Sequence, residues 1–296
     1  MNLKVYLQEK RDIVEQALQD VMLTPQGLLT KHIEAMSYSL FAGGKRVRPI
    51  LCIAAAESLG ADLTGLLPIA ASLEFIHTYS LIHDDLPAMD NDELRRGKPT
   101  NHTVYGEAEA ILAGDGLLTM AFEILSDPKL SNQLGAEKQL RLIHILSTSA
   151  GPQGMVGGQA IDIDSEGKEI PFATLRYLHS CKTGALITAA VEMGAVLGNA
   201  DEDQFQAFSE YGKNIGLAFQ IVDDLLNVEG TTEQLGKKAG SDAELEKATY
   251  PAFFGLDDTK KKAKAAVANA IKALQPFDSK ADPLREIAHY IYYRKR

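Results

Sequence analysis

The sequence predicts an all-α fold, a single helical bundle running through all 296 residues. Three observations carry that expectation. Between Pro171 and Pro251 there is no proline, and apolar residues recur at helical spacing: Leu175, Leu178, Ala185 and Ala189, then Phe205, Phe208, Ile215, Phe219, Val222 and Leu226. Residues 69–82, IAASLEFIHTYSLI, are apolar on almost every side, as in a central helix enclosed by others rather than one lying on a surface. The strict alternation that marks a half-buried strand is nearly absent.

Taken in order, helical periodicity covers roughly 28–40, 48–59, 65–85, 103–126, 133–150 and 260–274, with turns at Gly60, Pro99, Pro128, Pro152 and Pro276. Inside the proline-free stretch two long helices meet at Gly198 and Asn199. GGKRVRP at 43–49 reads as a turn before a helix starting near Arg48. There is no internal repeat, no low-complexity segment and no linker, so one domain over 1–296 is expected. A chain of this size buries ~75% of the surface its unfolded form exposes, enough for a sizeable core.

Composition narrows the partners. Thirty Lys and Arg against 40 Asp and Glu give a net charge of −10, which argues against a nucleic-acid partner, because such proteins normally present a broad basic face. The basic clusters are local, GGKRVRP and the RRGK at 95–98, a scale that suits a phosphate group rather than a polymer. No run of eighteen apolar residues occurs, and the N-terminus MNLKVYLQEKRDIVEQALQD is charged and amphipathic; a cytoplasmic chain without stable membrane insertion is expected. Cys52 and Cys181 lack metal-type spacing and lie in apolar surroundings, as buried free thiols do.

The chemistry concentrates where two apolar helices end in paired aspartates. FIHTYSLIHDD finishes at Asp84 and Asp85, and FQIVDD at Asp223 and Asp224, so the two ends are expected to share one cavity. On a straight helix Asp84 and Asp90 differ by about 240°. Pro87 resolves this: it disfavours helical geometry at Leu86 and removes a donor, letting the chain loop out and bring Asp90 back toward Asp84. In DDLLN, Asp223 and Asn227 share a face without distortion. Carboxylates gathered this densely repel unless cations neutralise them, and oxygen ligands select a hard ion, magnesium first among them. Arg95 and Arg96 can make paired hydrogen bonds to the phosphates such an ion would hold.

Each motif alone has a plainer reading. Acidic helix ends are often solvated surface, GGKRVRP lacks the GK[ST] ending of a nucleotide loop, a lone His77 suits a core, and Lys182 in HSCKTGALI suits a surface. Two acidic motifs on apolar helices, with arginines beside one and His77 seven residues before Asp84, favour a site.

Together these stretches resemble the trans-isoprenyl diphosphate synthases, most closely the bacterial farnesyl enzymes. The likeness runs through GGKRVRP, HDDLPAMDNDELRRGKPT, GGQAID at 157–162, KTGAL at 182–186, FQIVDD and LGKKAGSDAELEKATYP at 235–251. It implies a bundle of the isoprenoid synthase type with a central apolar cavity, and three magnesium ions held by Asp84, Asp85 and Asp90 with Asp223 and Asp224. It implies an allylic diphosphate site with Arg95, Lys182, Lys237 and, more weakly, Lys247, and an isopentenyl diphosphate site with Lys45, Arg48, His77 and Arg96. Thr183, Gln220 and the carbonyl of Lys182 would face the developing allylic cation. Asn227 stands where the family commonly has a third aspartate, which weakens it as a ligand, and Glu93 replaces a frequent aspartate.

The implied reaction needs no protein nucleophile. Dimethylallyl or geranyl diphosphate ionises in a dry pocket, the isopentenyl double bond attacks the cation, and the released pyrophosphate takes the proton. Tyr79, the fifth residue before Asp84, and Ser80, the fourth, would limit chain length; an aromatic at that place together with the two extra residues in the first acidic motif implies farnesyl diphosphate as product. The family also implies a homodimer. Geranylgeranyl or geranyl diphosphate synthesis is the alternative within the family. A terpene cyclase would not need GGKRVRP, His77 and Arg96, and a non-catalytic lipid-binding bundle would not need two acidic motifs.

Overall fold

The structure, a computed structural model, describes residues 1–229 and 248–293. Helices α1 (Leu3–Val21), α2 (Thr30–Leu40), α3 (Val47–Ser58), α4 (Leu67–Asp84), α5 (Asn101–Tyr105), α6 (Glu107–Ser126), α7 (Pro128–Leu134) and α8 (Ala136–Ala150) fill the first half. They are followed by α9 (Met155–Ser165), α10 (Phe172–His179), a π-helical turn (Ser180–Gly184), α11 (Ala185–Leu197), α12 (Glu202–Glu229), α13 (Tyr250–Ala273) and α14 (Asp282–Tyr293). The fold is all-α, as the periodicity predicts. Among the described residues the only strands are the two-residue β1 (Leu94–Arg95) and β2 (Lys98–Pro99), paired antiparallel.

Several boundaries differ from the periodic reading, each for a local reason. The stretch expected over 103–126 breaks at Gly106, and that over 133–150 at Gly135. The last long helix begins at Tyr250 instead of near 260: Thr249 caps it through its hydroxyl, Pro251 sits in the first turn, and a kink at Gly255 interrupts the register that periodicity would detect. Periodicity does not mark α9, because the apolar residues of MVGGQAIDIDS are spread around the helix axis instead of gathering on one face.

The chain clusters into two compact units. The first comprises Leu7–Ile50 and Thr64–Ile143. Here α4 packs on α6, with α2 against both. The central-helix expectation holds: Ile69 to Ile76, Thr78, Tyr79 and Ile82 are all buried. The one charged side chain in that set, Glu74, accepts from Arg46 at 2.7 Å. Arg46 also donates to Glu15 and to the carbonyl of Leu40, so a fully buried guanidinium anchors the loop before α3. It does so from a left-handed backbone (φ 52°), a conformation that costs a non-glycine residue energy and that the ion pairs offset.

The second unit comprises Met1–Tyr6, Leu51–Leu63 and His144–Arg296. Its axis is α12, flanked by α11 and α13. Leu175, Ile221, Val222, Leu225, Tyr250 and Ala263 form a buried cluster, with Phe172 edge-on to Tyr250, Phe253 and Phe254. The hydroxyl of Tyr211 donates to the carbonyl of Leu284 at 2.6 Å and ties α14 to α12. Phe172–Leu197 is long and apolar enough by length and hydropathy to cross a membrane, yet 67% of its apolar window is buried inside the protein, as a core helix is. Both cysteines are free and buried, as expected, and burial pushes the Cys52 thiol up to about 12.

Candidate active site

In the first unit the proline argument is borne out. Helix α4 stops at Asp84, Leu86 N–H donates to His83, and the backbone N–H of Asp90 donates back to the carbonyl of Asp84 at 2.8 Å. Asn91 turns the chain with φ 52° and donates its N–H to Leu86. Asp84 is half-buried and Asp90 exposed, two carboxylates on one folded-back loop.

Asp85 has a different situation. It is 3% exposed, and Arg95 donates to both of its oxygens at 2.7 and 2.8 Å. Burial pushes its carboxyl up, and the hydrogen bonds and charge of Arg95 oppose that shift. Arg95 sits at the end of β1, next to the two-residue turn Arg96–Gly97, where both residues have positive φ. Such a turn matches strand twist and asks for glycine at one centre; here Arg96 takes the other with φ 54°. The hairpin therefore sends adjacent arginines to different partners. Arg95 goes to Asp85 and Arg96 to the carbonyl of Gly43, beside Gly44.

Lys45 is exposed and Arg48 half-buried, on either side of the buried Arg46. His77, one of the expected isopentenyl-site residues, is pushed well below its ordinary value by burial and then by the charges of Arg48, Arg96, Arg95 and Arg46. It is thus a neutral ring that can donate one hydrogen bond. A cavity of about 30 Å³ lies beside this cluster, lined by Tyr38, Thr78, Asp85, Arg95, Arg96 and Asn101 among others. Tyr79 is 5% exposed, lies edge-on to His83, and its hydroxyl has no hydrogen-bond partner among the described residues. Ser80 donates to the carbonyl of His77 at 2.8 Å.

In the second unit Lys182 and Thr183 lie in the π-helical turn, where backbone hydrogen bonds leave the α register; such turns recur at functional sites. Helix α12 runs against this turn: a Cβ on Gly216 would fall 2.9 Å from the Cα of Gly184. Gln220, Asp223 and Asn227 follow Gly216 at intervals of four, seven and eleven residues and occupy the same stripe of α12, within about 60° of one another. Asp223 is half-buried. Asp224, 7% exposed, faces another way and accepts from the backbone N–H of Tyr250 at 2.8 Å, holding the start of α13. Lys237 and Lys247 lie outside the described residues.

Sequence reasoning left two groups unassigned. Asp162 of GGQAID accepts from Lys182 Nζ at 2.6 Å, and buried His179 stacks on Tyr250 at 5.7 Å. A lysine interrupting an apolar stretch needs a counter-charge, which was the available signal for the first; nothing in the sequence marks the second. Among the described residues no three His, Cys, Asp or Glu side chains converge as a preformed metal cluster.

Comparison with known proteins identifies the family. The polyprenyl synthetase family profile matches residues 30–290. A farnesyl diphosphate synthase of Geobacillus stearothermophilus is 48% identical over 262 residues, 88% of each chain. A geranylgeranyl diphosphate synthase of Cyanophora paradoxa is 48% identical over 294 residues, 99% of this chain and 97% of that one. The crystal structure of an FPP/GFPP synthase from Zymomonas mobilis superposes with a TM-score of 0.87 at 39% identity, covering 98% of this chain and 99% of that chain. With an all-α fold of the isoprenoid synthase type and a family match over most of its length, the chain belongs to the polyprenyl synthetase family.

Proposed function

We propose that this prenyltransferase condenses isopentenyl diphosphate with dimethylallyl and then geranyl diphosphate to give farnesyl diphosphate, working as one catalytic domain over 1–296 in a cytoplasmic homodimer. The observation that carries the reading is the loop that folds Asp90 back onto Asp84 beside a hairpin presenting Arg95 and Arg96 in different directions. Magnesium fits there. The donors are hard carboxylate oxygens, and an ion completed by substrate phosphates and water needs only one or two carboxylates from the protein. Asp84, Asp90 and Asp223 are the ligands we propose, with Asp85 and Asp224 supporting them. When bound, magnesium supplies positive charge that stabilises the departing pyrophosphate.

The chain's own residues do the remainder. Arg95 and Lys182, with Lys237 and the weaker candidate Lys247, hold the allylic diphosphate; Lys45, Arg48, Arg96 and neutral His77 hold the isopentenyl diphosphate. The bond between allylic C1 and the diphosphate oxygen breaks, and Thr183, Gln220 and the carbonyl of Lys182 face the cation that results. The isopentenyl double bond forms the new carbon–carbon bond, and the released pyrophosphate accepts the proton. Buried, apolar α4 keeps water from the cation and receives the growing tail.

Tyr79 supports a fifteen-carbon product. At ~1.5 Å per residue it lies about 7.5 Å along the axis from Asp84, toward the interior of α4. Its large ring is buried while the side chain of Ser80 is small. Geranylgeranyl synthesis is the second reading, because a relative of that name is as similar as the farnesyl one. Incubation with magnesium, isopentenyl diphosphate and each allylic primer, followed by chromatography of dephosphorylated products, tests both. Farnesol as the main alcohol is expected, geranylgeraniol would overturn the product, and no magnesium-dependent pyrophosphate release would overturn the reaction.

A further inference from the structure

Helix α9 and the π-helical turn approach more closely than side chains normally allow. A Cβ on Gly158 would lie 2.3 Å from the backbone nitrogen of Lys182 and 2.6 Å from its Cα, so only glycine permits this contact. Asp162 is one helical turn beyond Gly158 and on the same face, next to where the Lys182 side chain emerges. There its Oδ2 accepts from Nζ at 2.6 Å, with both side chains largely withdrawn from water (18% and 25% exposed). A lysine stem has four rotatable carbons and a compact charge with no preferred direction, so its ammonium is aimed only if something else aims it.

We propose that Asp162 is a positioning residue for Lys182, holding the ammonium in the direction from which it takes the allylic diphosphate. This rests on the reading of Lys182 as an allylic-site residue. The neighbourhood fits a built device: the backbone bulges at Lys182, glycine opens space for it, and the carboxylate stands one turn away. His179, at the start of the same turn, is held neutral, lowered to about 4 by burial, and so adds no charge that would compete for Asp162.

The test is a double-mutant cycle in the full-length protein with magnesium, measuring kcat and the two Michaelis constants separately. Asp162→Ala should lower kcat/KM for dimethylallyl diphosphate by ~10-fold or more, the size of losing a charged hydrogen-bond partner, with the KM for isopentenyl diphosphate unchanged. Asp162→Glu should recover part of the loss and Asp162→Asn little of it. In a Lys182→Met background, Asp162→Ala should have almost no further effect. A merely structural carboxylate predicts otherwise: a lower Tm, both Michaelis constants raised, and the same loss in either background. Any of these, or Glu behaving like Ala, overturns the proposal. Should the alanine variant not fold, the Asn and Glu variants carry the same comparison. If Lys182→Met leaves the allylic KM unchanged, the allylic assignment of Lys182 is wrong and the proposal falls with it; additive losses beside a normal Lys182→Met defect remove the role of Asp162 alone.

Discussion

The two aspartate pairs look alike as sequence and are built differently. Asp84 and Asp85 end α4, where the helix dipole presents partial negative charge and a carboxylate is unfavourable. The chain there supplies Arg95 for Asp85, and the exposed Asp90 donates its backbone N–H to the carbonyl of Asp84. Asp223 and Asp224 lie within α12, which continues to Glu229, and Asp224 meets the first N–H of α13, where the dipole favours negative charge. In both pairs the first aspartate is half-buried and the second is buried and engaged. On the proposed reading the first carboxylate of each pair binds the cation, while the second accepts from Arg95 or from the backbone N–H of Tyr250.

That division predicts the largest effect. Asp84→Ala and Asp223→Ala should each lower turnover at least ~100-fold, the range seen when one preorganised electrostatic group is removed, with far-UV circular dichroism and Tm near wild type. Near-normal activity in either variant would break the parallel. The second members should behave in the opposite sense. Asp85→Ala strands Arg95 and should cost ~2 to 3 kcal/mol of stability, below the full buried-pair penalty because Arg95 is partly exposed. Asp224→Asn should cost only ~1 kcal/mol, since an amide oxygen still accepts from Tyr250. Denaturant midpoints measure both, and an Asp85→Ala loss no larger than that of Asp224→Asn would mean that Arg95 is not left stranded.

Acid sharpens the comparison, because each region holds a histidine that its surroundings keep neutral. Burial and the surrounding arginines lower His77, and burial lowers His179 to about 4. An unfolded histidine takes up a proton near pH 6.5 that the folded one refuses, so the unfolded state gains as pH falls. Neither histidine affects stability above about pH 6.5. His179 should remove up to roughly 3 kcal/mol between about pH 6.5 and about 4. Melting curves across that range should flatten in His179→Gln and in His77→Gln; unchanged slopes would mean that both rings protonate in the folded state.

The change most visible in product concerns Tyr79. A pocket discriminates one apolar group from another by only ~1 to 3 kcal/mol. Tyr79→Ala should shift products toward geranylgeranyl diphosphate or longer, and Ser80→Phe toward geranyl diphosphate, read by chromatography. Identical distributions in both variants would detach these residues from chain length.

Helical class, the buried character of α4 and the break after Asp84 were all determined by the sequence, because they depend on local quantities: periodicity, apolar content on every face, and the missing donor of Pro87. So were the motifs, since residue types at short spacing carry them. Tertiary structure alone decided which charges are spent inside the protein. Within GGKRVRP, Arg46 is buried against Glu15 and Glu74 while its neighbour Lys45 reaches solvent. Asp162 meets Lys182 across 20 residues because glycine lets two segments touch, and Asp224 finds the start of a helix 26 residues later. A charge's partner is set by where the backbone returns, and a linear pattern holds no information about that until packing has brought distant segments together.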